Sequence, residues 1–369
     1  MIYHVLPELE PFSATSGGAI THTVADLMRM DSNRAVVCIS ADCTWGFSPH
    51  RVITAAGLQV FARLKGRRYY PAWLTGPMLR VIYRPFLAVL KKGDIVWCHN
   101  QTQVCAALQD GVHARGAKII YHSHDAWPVS RGPRQLRNLS PDAWIFVSEA
   151  LRREWLRVLP SLKNTHVVHN GADESLFYPA REKTHDDSVP TILFVGRLHP
   201  EKGVHVLLDS IALLNEKGLP LKCRIVGSAF SGNSAPTPYV ESLRRNAAKN
   251  VEFVGHRSAK EISEEFRSAD IFCCPSIWQE PFGKVNIEAM ACGIPVAATR
   301  VGGIEEIAST GGVLLVKPDC AGDLADALQR LLESPDLRAT LAEQGLKSFL
   351  SRFKWSSILS GYDLITSTL

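Results

Sequence analysis

No apolar run in this 369-residue chain approaches the roughly 20 residues that a membrane-spanning helix needs. The first residues, Met1-Ile2-Tyr3-His4-Val5, carry no basic region and no apolar stretch of the kind a secretory signal uses. The 9 cysteines show no paired metal spacing, and Cys38, Cys98, Cys273 and Cys274 sit inside apolar runs, so they read as buried free thiols in a reducing cytoplasm. Three further patterns are absent: an Asp-x-Asp pair for a nucleotide-bound metal, a Gly-x-x-x-x-Gly-Lys phosphate loop, and a Gly-x-Gly-x-x-Gly dinucleotide turn. There is no tandem repeat and no low-complexity tract. From Cys43 to Gly93 the chain also lacks Asp and Glu, while Arg51, Arg63, Lys65, Arg67, Arg68, Arg80, Arg84, Lys91 and Lys92 alternate with Tyr69, Tyr70, Trp73, Leu79 and Phe86. Such a stretch suits an anionic lipid surface. A peripheral contact with the inner face of a membrane is therefore expected beside a cytoplasmic location.

What is present is globular. The chain is 46% apolar and 21% charged, with a net charge of +5, which excludes a disordered or fibrous class and decides little about ligands. The length suits two domains. Short, β-rich runs alternate with helical patterns: 35–40, 95–99, 118–121, 143–148 and 166–168, then 191–195, 223–226, 251–254, 271–274, 295–298 and 313–316. Several are apolar throughout, as parallel strands covered on both faces are. Helical patterns between them include 203–217, 258–267, 283–291 and 323–332. The expectation is α/β: two Rossmann-like, doubly wound domains with a cleft between the C-terminal ends of their strands. The boundary is placed at the turn after Gly171 and the polar run ending at Pro190, giving domains 1–175 and 176–350 and a closing helix within 351–369.

Two segments carry chemistry. In the first, Pro275 to Val296, an apolar strand leads through a loop holding Glu280 into a helix that starts near Gly283 and stops at Gly293. Its first turn, at Phe282, Gly283, Lys284 and Val285, offers unpaired amides and a positive dipole end to a diphosphate. Glu288 lies about 7–8 Å further along at ~1.5 Å per residue, roughly the span from a β-phosphate to a ribose. Glu280, ahead of the helix, faces the sugar beyond the phosphates. Glu288 sits between Ile287 and Ala289, and an acid among apolar neighbours needs a partner. In the second segment, Phe194 to Gly203, Arg197 and Lys202 bracket a turn between strand and helix. Arg can clamp phosphate oxygens with two N–H groups, and Lys adds a compact charge.

With these residues the chain resembles the retaining glycosyltransferases of family 4, which have the GT-B fold. The matching features are Asn170-Gly171-Ala172-Asp173 with Phe177 and Pro179, Gly196-Arg197, Glu201-Lys202-Gly203 and Phe253-Val254-Gly255. They continue through Ala269-Asp270, Pro275-Ser276, the Glu280 and Glu288 pair, and Gly302-Gly303-Ile304 with Glu306. In the first half only Gly17-Gly18 and the strand ending at His122 match. The resemblance implies that Arg197 and Lys202 hold the donor diphosphate, that Glu280 contacts the donor sugar and Glu288 the ribose, and that backbone near Arg257 meets the base. It implies that Gly17 and Gly18 approach the diphosphate, and that His122, or His124 two residues on, meets the transferred sugar. Asn286 departs from the apolar residue common at its place. The implied reaction is metal-independent hexosyl transfer, with retention, from a UDP- or GDP-linked sugar to a saccharide, lipid-linked saccharide or small molecule, as in cell-envelope polysaccharide synthesis. No cofactor or metal is implied, and no nucleic-acid partner. A nucleotide-sugar 2-epimerase of the same fold is the alternative.

Overall fold

The computed structural model describes residues 1–7, 10–13, 18–38, 46–48, 51–54, 72–126, 136, 139–180, 189–229 and 236–369, with the backbone alone for 72–75. Arg63, Lys65, Arg67, Arg68, Tyr69 and Tyr70 of the acid-free basic stretch, and Gly17, lie outside the described residues. Two compact units are formed. One comprises Met1–His169 and Leu359–Leu369, and the other Asn170–Ile358.

Among the described residues the first unit holds seven strands: β1 (Ile2–Val5), β2 (Arg34–Cys38), β3 (Val52–Thr54), β4 (Ile95–His99), β5 (Lys118–Ser123), β6 (Ala143–Phe146) and β7 (Thr165–Val167). They run in the order β3-β2-β1-β4-β5-β6-β7, with every pairing parallel. Val36, Val37, Val96, Ile119, Ile120 and Ile145 are wholly buried. All five residues of β2 are buried, so both of its faces are covered. β1 and β3 have no counterpart among the sequence-predicted strands. β1 has only four residues, two of them Tyr3 and His4, and becomes a central strand through its two neighbours rather than through its own pattern. β6 stops two residues short of the expected 148 because Ser148 begins the next helix, its Oγ accepting from the Leu151 amide at 3.0 Å.

The second unit repeats the plan with β8 (Thr191–Val195), β9 (Lys222–Val226), β10 (Val251–Gly255), β11 (Ile271–Cys274), β12 (Val296–Thr299) and β13 (Val313–Val316). The order is β10-β9-β8-β11-β12-β13, again wholly parallel. Its core joins strand residues such as Ile192, Phe194, Ile225 and Ile271 to Leu207, Ile211, Leu328 and Leu331 from flanking helices. The helix over Ala259–Ser268 opens with a full capping box between Ser258 and Glu261.

The division falls at 169/170, earlier than the 175/176 read from the sequence. The segment after His169 already packs on the second unit: the Ala172 amide donates to Phe353 O at 3.0 Å, and the Phe177 ring meets Phe266 edge-on at 6.1 Å. The closing helix, Trp355–Ser367, contributes to both units. Trp355 lies beside Gly171, and Tyr362 meets Trp97 edge-on at 5.0 Å. Among the described residues no helix is long and apolar enough to cross a membrane.

Candidate active site

In an open parallel sheet the strand order reverses at one point, and loops leaving the two strands there diverge to open a crevice at their C-terminal ends. In the second unit that point lies between β8 and β11. The loop after β8 carries Gly196, Arg197 and Lys202, and the loop after β11 carries Ser276, Trp278 and Glu280. The topology thus brings together the two segments that the sequence singled out.

Their side chains meet. Lys202 Nζ lies 2.6 Å from Glu280 Oε2, with the two side chains 18% and 11% exposed. The same oxygen accepts from Trp278 Nε1 at 2.9 Å and from Ser276 Oγ at 3.2 Å, and the Lys202 ammonium stands 5.2 Å from the Trp278 ring centroid. Charges so nearly buried need such pairing and hydrogen bonding to offset their lost hydration. No described residue donates to Glu280 Oε1. Trp278 and Ser276 are site residues that the sequence reading passed over; their closeness to Glu280 in the chain was the available signal. The buried thiol of Cys274 is raised by its burial and by Glu280, against a lowering by Lys202.

Backbone contact joins the loops. Ile277 N donates to Glu201 O at 2.9 Å. Gly203 has φ 67°, and a Cβ there would fall 1.9 Å from Pro275 O. Only glycine permits both the conformation and the approach. Gly203→Ala is expected to cost about 2–4 kcal/mol, the sum of left-handed strain and overpacking. Gly218→Ala, with φ 72° but open space around it, should cost about 1–2 kcal/mol. Equal denaturation midpoints for the two variants would refute this account of the loop junction. Gly302 is held in the same way: its Cβ would lie 2.1 Å from Glu280 O, and Gly303 N donates to that oxygen at 2.8 Å.

The helix after Glu280 covers Lys284–Ala291, with Gly283 at its N-cap in the left-handed region. A Cβ on Gly283 would fall 2.7 Å from Asn286 Nδ2. Asn286, the departure from an apolar residue, is fully buried. Its Nδ2 donates to Gly283 O at 2.9 Å, which fixes the first turn. Lys284 Nζ stands 3.8 Å from Glu288 Oε1 one turn on, both side chains mostly covered. Val285 is half-buried. Phe282 is buried, its ring edge-on to Phe353 at 6.1 Å, so any part it takes in binding runs through its backbone.

Arg197 is exposed and has no ion pair with a described residue. Its loop lines a recess of about 150 Å³ with Val195, Val226, Gly227, Ser228, His256, Arg257 and Ile262, at the ends of β8, β9 and β10. Arg257 keeps its guanidinium 3.9 Å from Glu265. Arg197 thus lines the recess while Lys202, five residues on in the same loop, pairs with Glu280.

In the first unit, Gly18 precedes the helix Ala19–Met30, and its amide is engaged: it donates to Glu10 Oε1 at 3.0 Å, which also accepts from Thr21 N at 3.0 Å and Thr21 Oγ1 at 2.7 Å. His122, within β5, is fully buried, and neither ring nitrogen has a hydrogen-bond partner. His124 lies on the same side two residues on, its ring 4.1 Å from that of His122. It sits past the strand's end and is partly exposed. The difference between the two histidines is depth, which strand alternation does not show.

Two family models match successive parts of the chain: Glycosyltransferase Family 4 over residues 21–176 and Glycosyl transferases group 1 over residues 180–348. Among curated relatives, the α-maltose-1-phosphate synthase of Mycobacterium tuberculosis is 30% identical over 250 residues, covering 63% of this chain and 64% of its own length. The D-inositol 3-phosphate glycosyltransferase of Corynebacterium aurimucosum is 33% identical over 207 residues, covering 53% and 49%. The chain thus spans about half to just under two thirds of these relatives. Among solved structures, sucrose-phosphate synthase from Thermosynechococcus elongatus superposes with a TM-score of 0.78 at 20% identity, over 100% of this chain and 98% of that one. Anabaena HepE in complex with UDP and glucose gives 0.77 at 21% identity, over 100% and 99%.

Proposed function

Because this chain belongs to glycosyltransferase family 4 and has the two-domain GT-B fold, we propose that it transfers a hexosyl group from a nucleoside-diphosphate sugar, UDP- or GDP-linked, to a saccharide, lipid-linked saccharide or small-molecule acceptor, without a metal and with retention of configuration. The observation that carries the reading is the meeting of Lys202 and Glu280 at the switch point of the second sheet, beside exposed Arg197 and a glycine-led helix start. In this reading Arg197, Lys202 and the amides at Gly283, Lys284 and Val285 hold the diphosphate. Glu280 Oε1 accepts from hydroxyls of the donor sugar while Oε2 stays bound to Lys202, Trp278 and Ser276. Glu288 takes the ribose, and the recess at Gly196, His256 and Arg257 takes the base. At the end of β5 the side-chain contact with the sugar falls to His124 and not His122, since of the two only His124 reaches the surface. The named relatives are a glycosyltransferase and synthases, one solved neighbour holds UDP and glucose, and none supports the epimerase. The basic stretch adds a contact with anionic lipid at the cytoplasmic face to the proposal.

As the glycosidic bond breaks, negative charge grows on the departing diphosphate. Fixed cations and helix amides aimed at it stabilise that charge without reorganising and without an ion. Binding of UDP-, GDP- and ADP-sugars should separate by thermal stabilisation, since a ligand raises apparent stability by mass action. With the stabilising donor, turnover should survive excess chelator, and NMR should find the product's anomeric configuration unchanged from the donor's. Activity lost to chelator and restored by Mg²⁺ or Mn²⁺ would overturn the electrostatic account; an inverted anomer would overturn retention.

A further inference from the structure

The switch point of the first sheet, between β1 and β4, is lined by imidazoles in series. Arg34 Nη1 lies 3.3 Å from His4 Nε2. His4 Nδ1 lies 2.9 Å from His99 Nε2, and His99 Nδ1 lies 2.9 Å from His124 Nε2. Arg34, His4 and His99 are wholly buried. A guanidinium has donors only, so His4 must present a lone pair at Nε2 and carry its proton on Nδ1. That proton points at His99 Nε2, which must accept. His99 is then protonated at Nδ1 and donates to His124 Nε2, leaving the His124 proton on Nδ1. No described residue takes that proton. One fixed donor at the inner end thus sets every tautomer along the row, and hydrogen bonds in such a chain polarise one another.

We infer that Arg34, acting through His4 and His99, fixes His124 as an Nδ1–H donor to a hydroxyl oxygen of the substrate at the C-terminal end of β5. The inference rests on the reading that this end of β5 meets the transferred sugar. The backbone of His124 is held in register: its amide donates to Asn100 Oδ1 at 2.7 Å, and Asn100 Nδ2 donates to Asp125 Oδ2 at 2.7 Å. Burial holds the imidazoles of His4, His99 and His122 well below the ordinary range and that of His124 down to about 3, so the row is neutral. His99, His122 and His124 also offer ring nitrogens within 4.8 Å of one another, close enough for a divalent metal. The tautomers oppose that use. His99 Nδ1 and His124 Nε2 share a proton, and clearing His99 Nδ1 would move its proton to Nε2, head-on against His4 Nδ1–H.

Long-range ¹H–¹⁵N spectra of the ligand-free wild-type protein read the tautomers directly. His4, His99 and His124 should each show Nδ1 protonated and Nε2 bare. His4→Phe, which keeps an aromatic ring but breaks the row, should release His124 to the other tautomer and lower kcat/KM about tenfold, the loss of one hydrogen bond. A proton on Nε2 of His99 or His124 in the wild type, or stoichiometric Zn²⁺ binding that displaces these protons, would overturn the inference. If the tautomers stand but His124→Phe keeps wild-type kcat/KM, the substrate contact is overturned while the row itself holds.

Discussion

Lowering the pH from 7.5 to 5.5 is expected to strip about 5 kcal/mol from the stability of the first unit. His4, His99, His122 and His124 are held below their ordinary pKa, in each case chiefly by burial. For His4 the cation of Arg34 lowers it further. For His99 the other three imidazoles and Arg34 add to burial, and for His122 so do His124 and His4. The unfolded chain returns each imidazole to about 6.5, so it takes up protons where the folded chain does not. Stability is therefore full above about pH 6.5 and falls as pH drops below it, with a slope approaching 1.4 kcal/mol per unit for each group. The combined loss reaches the lower end of the roughly 5–15 kcal/mol by which whole domains are stable. The charges facing the row do not offset this. Arg34 is cationic, and the carboxylates of Asp31 at 3.0 Å and Asp363 at 3.6 Å pair with it, not with the imidazoles. The buried thiols of Cys223, Cys273, Cys274 and Cys292 in the second unit are raised by burial and are silent in acid. Urea midpoints followed by circular dichroism between pH 7.5 and 5.5 read the slope. An unchanged midpoint would refute the neutral-imidazole account, and His4→Phe should remove about one proton's share of it.

Lys202→Ala and Arg197→Ala should each lower kcat/KM about 10–150-fold, the loss of one charge-assisted contact of roughly 1.5–3 kcal/mol. The structure separates them by stability. Lys202 is mostly covered and paired with Glu280 at 2.6 Å; removing it leaves a nearly buried carboxylate with only Trp278 and Ser276, so Lys202→Ala should also destabilise the second unit by about 1–3 kcal/mol. Arg197 is exposed and has no described partner, so its removal should change stability by less than about 0.5 kcal/mol. The double variant should fall well short of the product of the single effects, because both cations act on one diphosphate. Wild-type kcat/KM in both single variants would sink the phosphate assignment. Equal melting behaviour in both would sink the account of the Lys202–Glu280 pair.

The helix Lys284–Ala291 and the strand before it were legible because the signals are local: an apolar run, Gly283 where φ is positive, and Gly293 at the stop. The other parallel strands of both units, the short edge strand β3 aside, were legible for the same reason, as apolar runs at strand length. β1 was not, since four residues containing His4 and Tyr3 carry no periodicity, and its central place comes from β2 and β4 on either side. The domain boundary was displaced because a polar, proline-ended run looks like a linker, whereas the packing of Ala172 and Phe177 is written in distant residues. At the site, the residue types and their loops came from the sequence. That Glu280 binds Lys202, Trp278 and Ser276 through a single oxygen came from the reversal of strand order, which sets two loops about 80 residues apart in the chain against each other. The row from Arg34 to His124 lies furthest from the sequence. Its members are drawn from four separate segments of the first unit, and only the register of parallel strands lines up their rings and gives each proton its place.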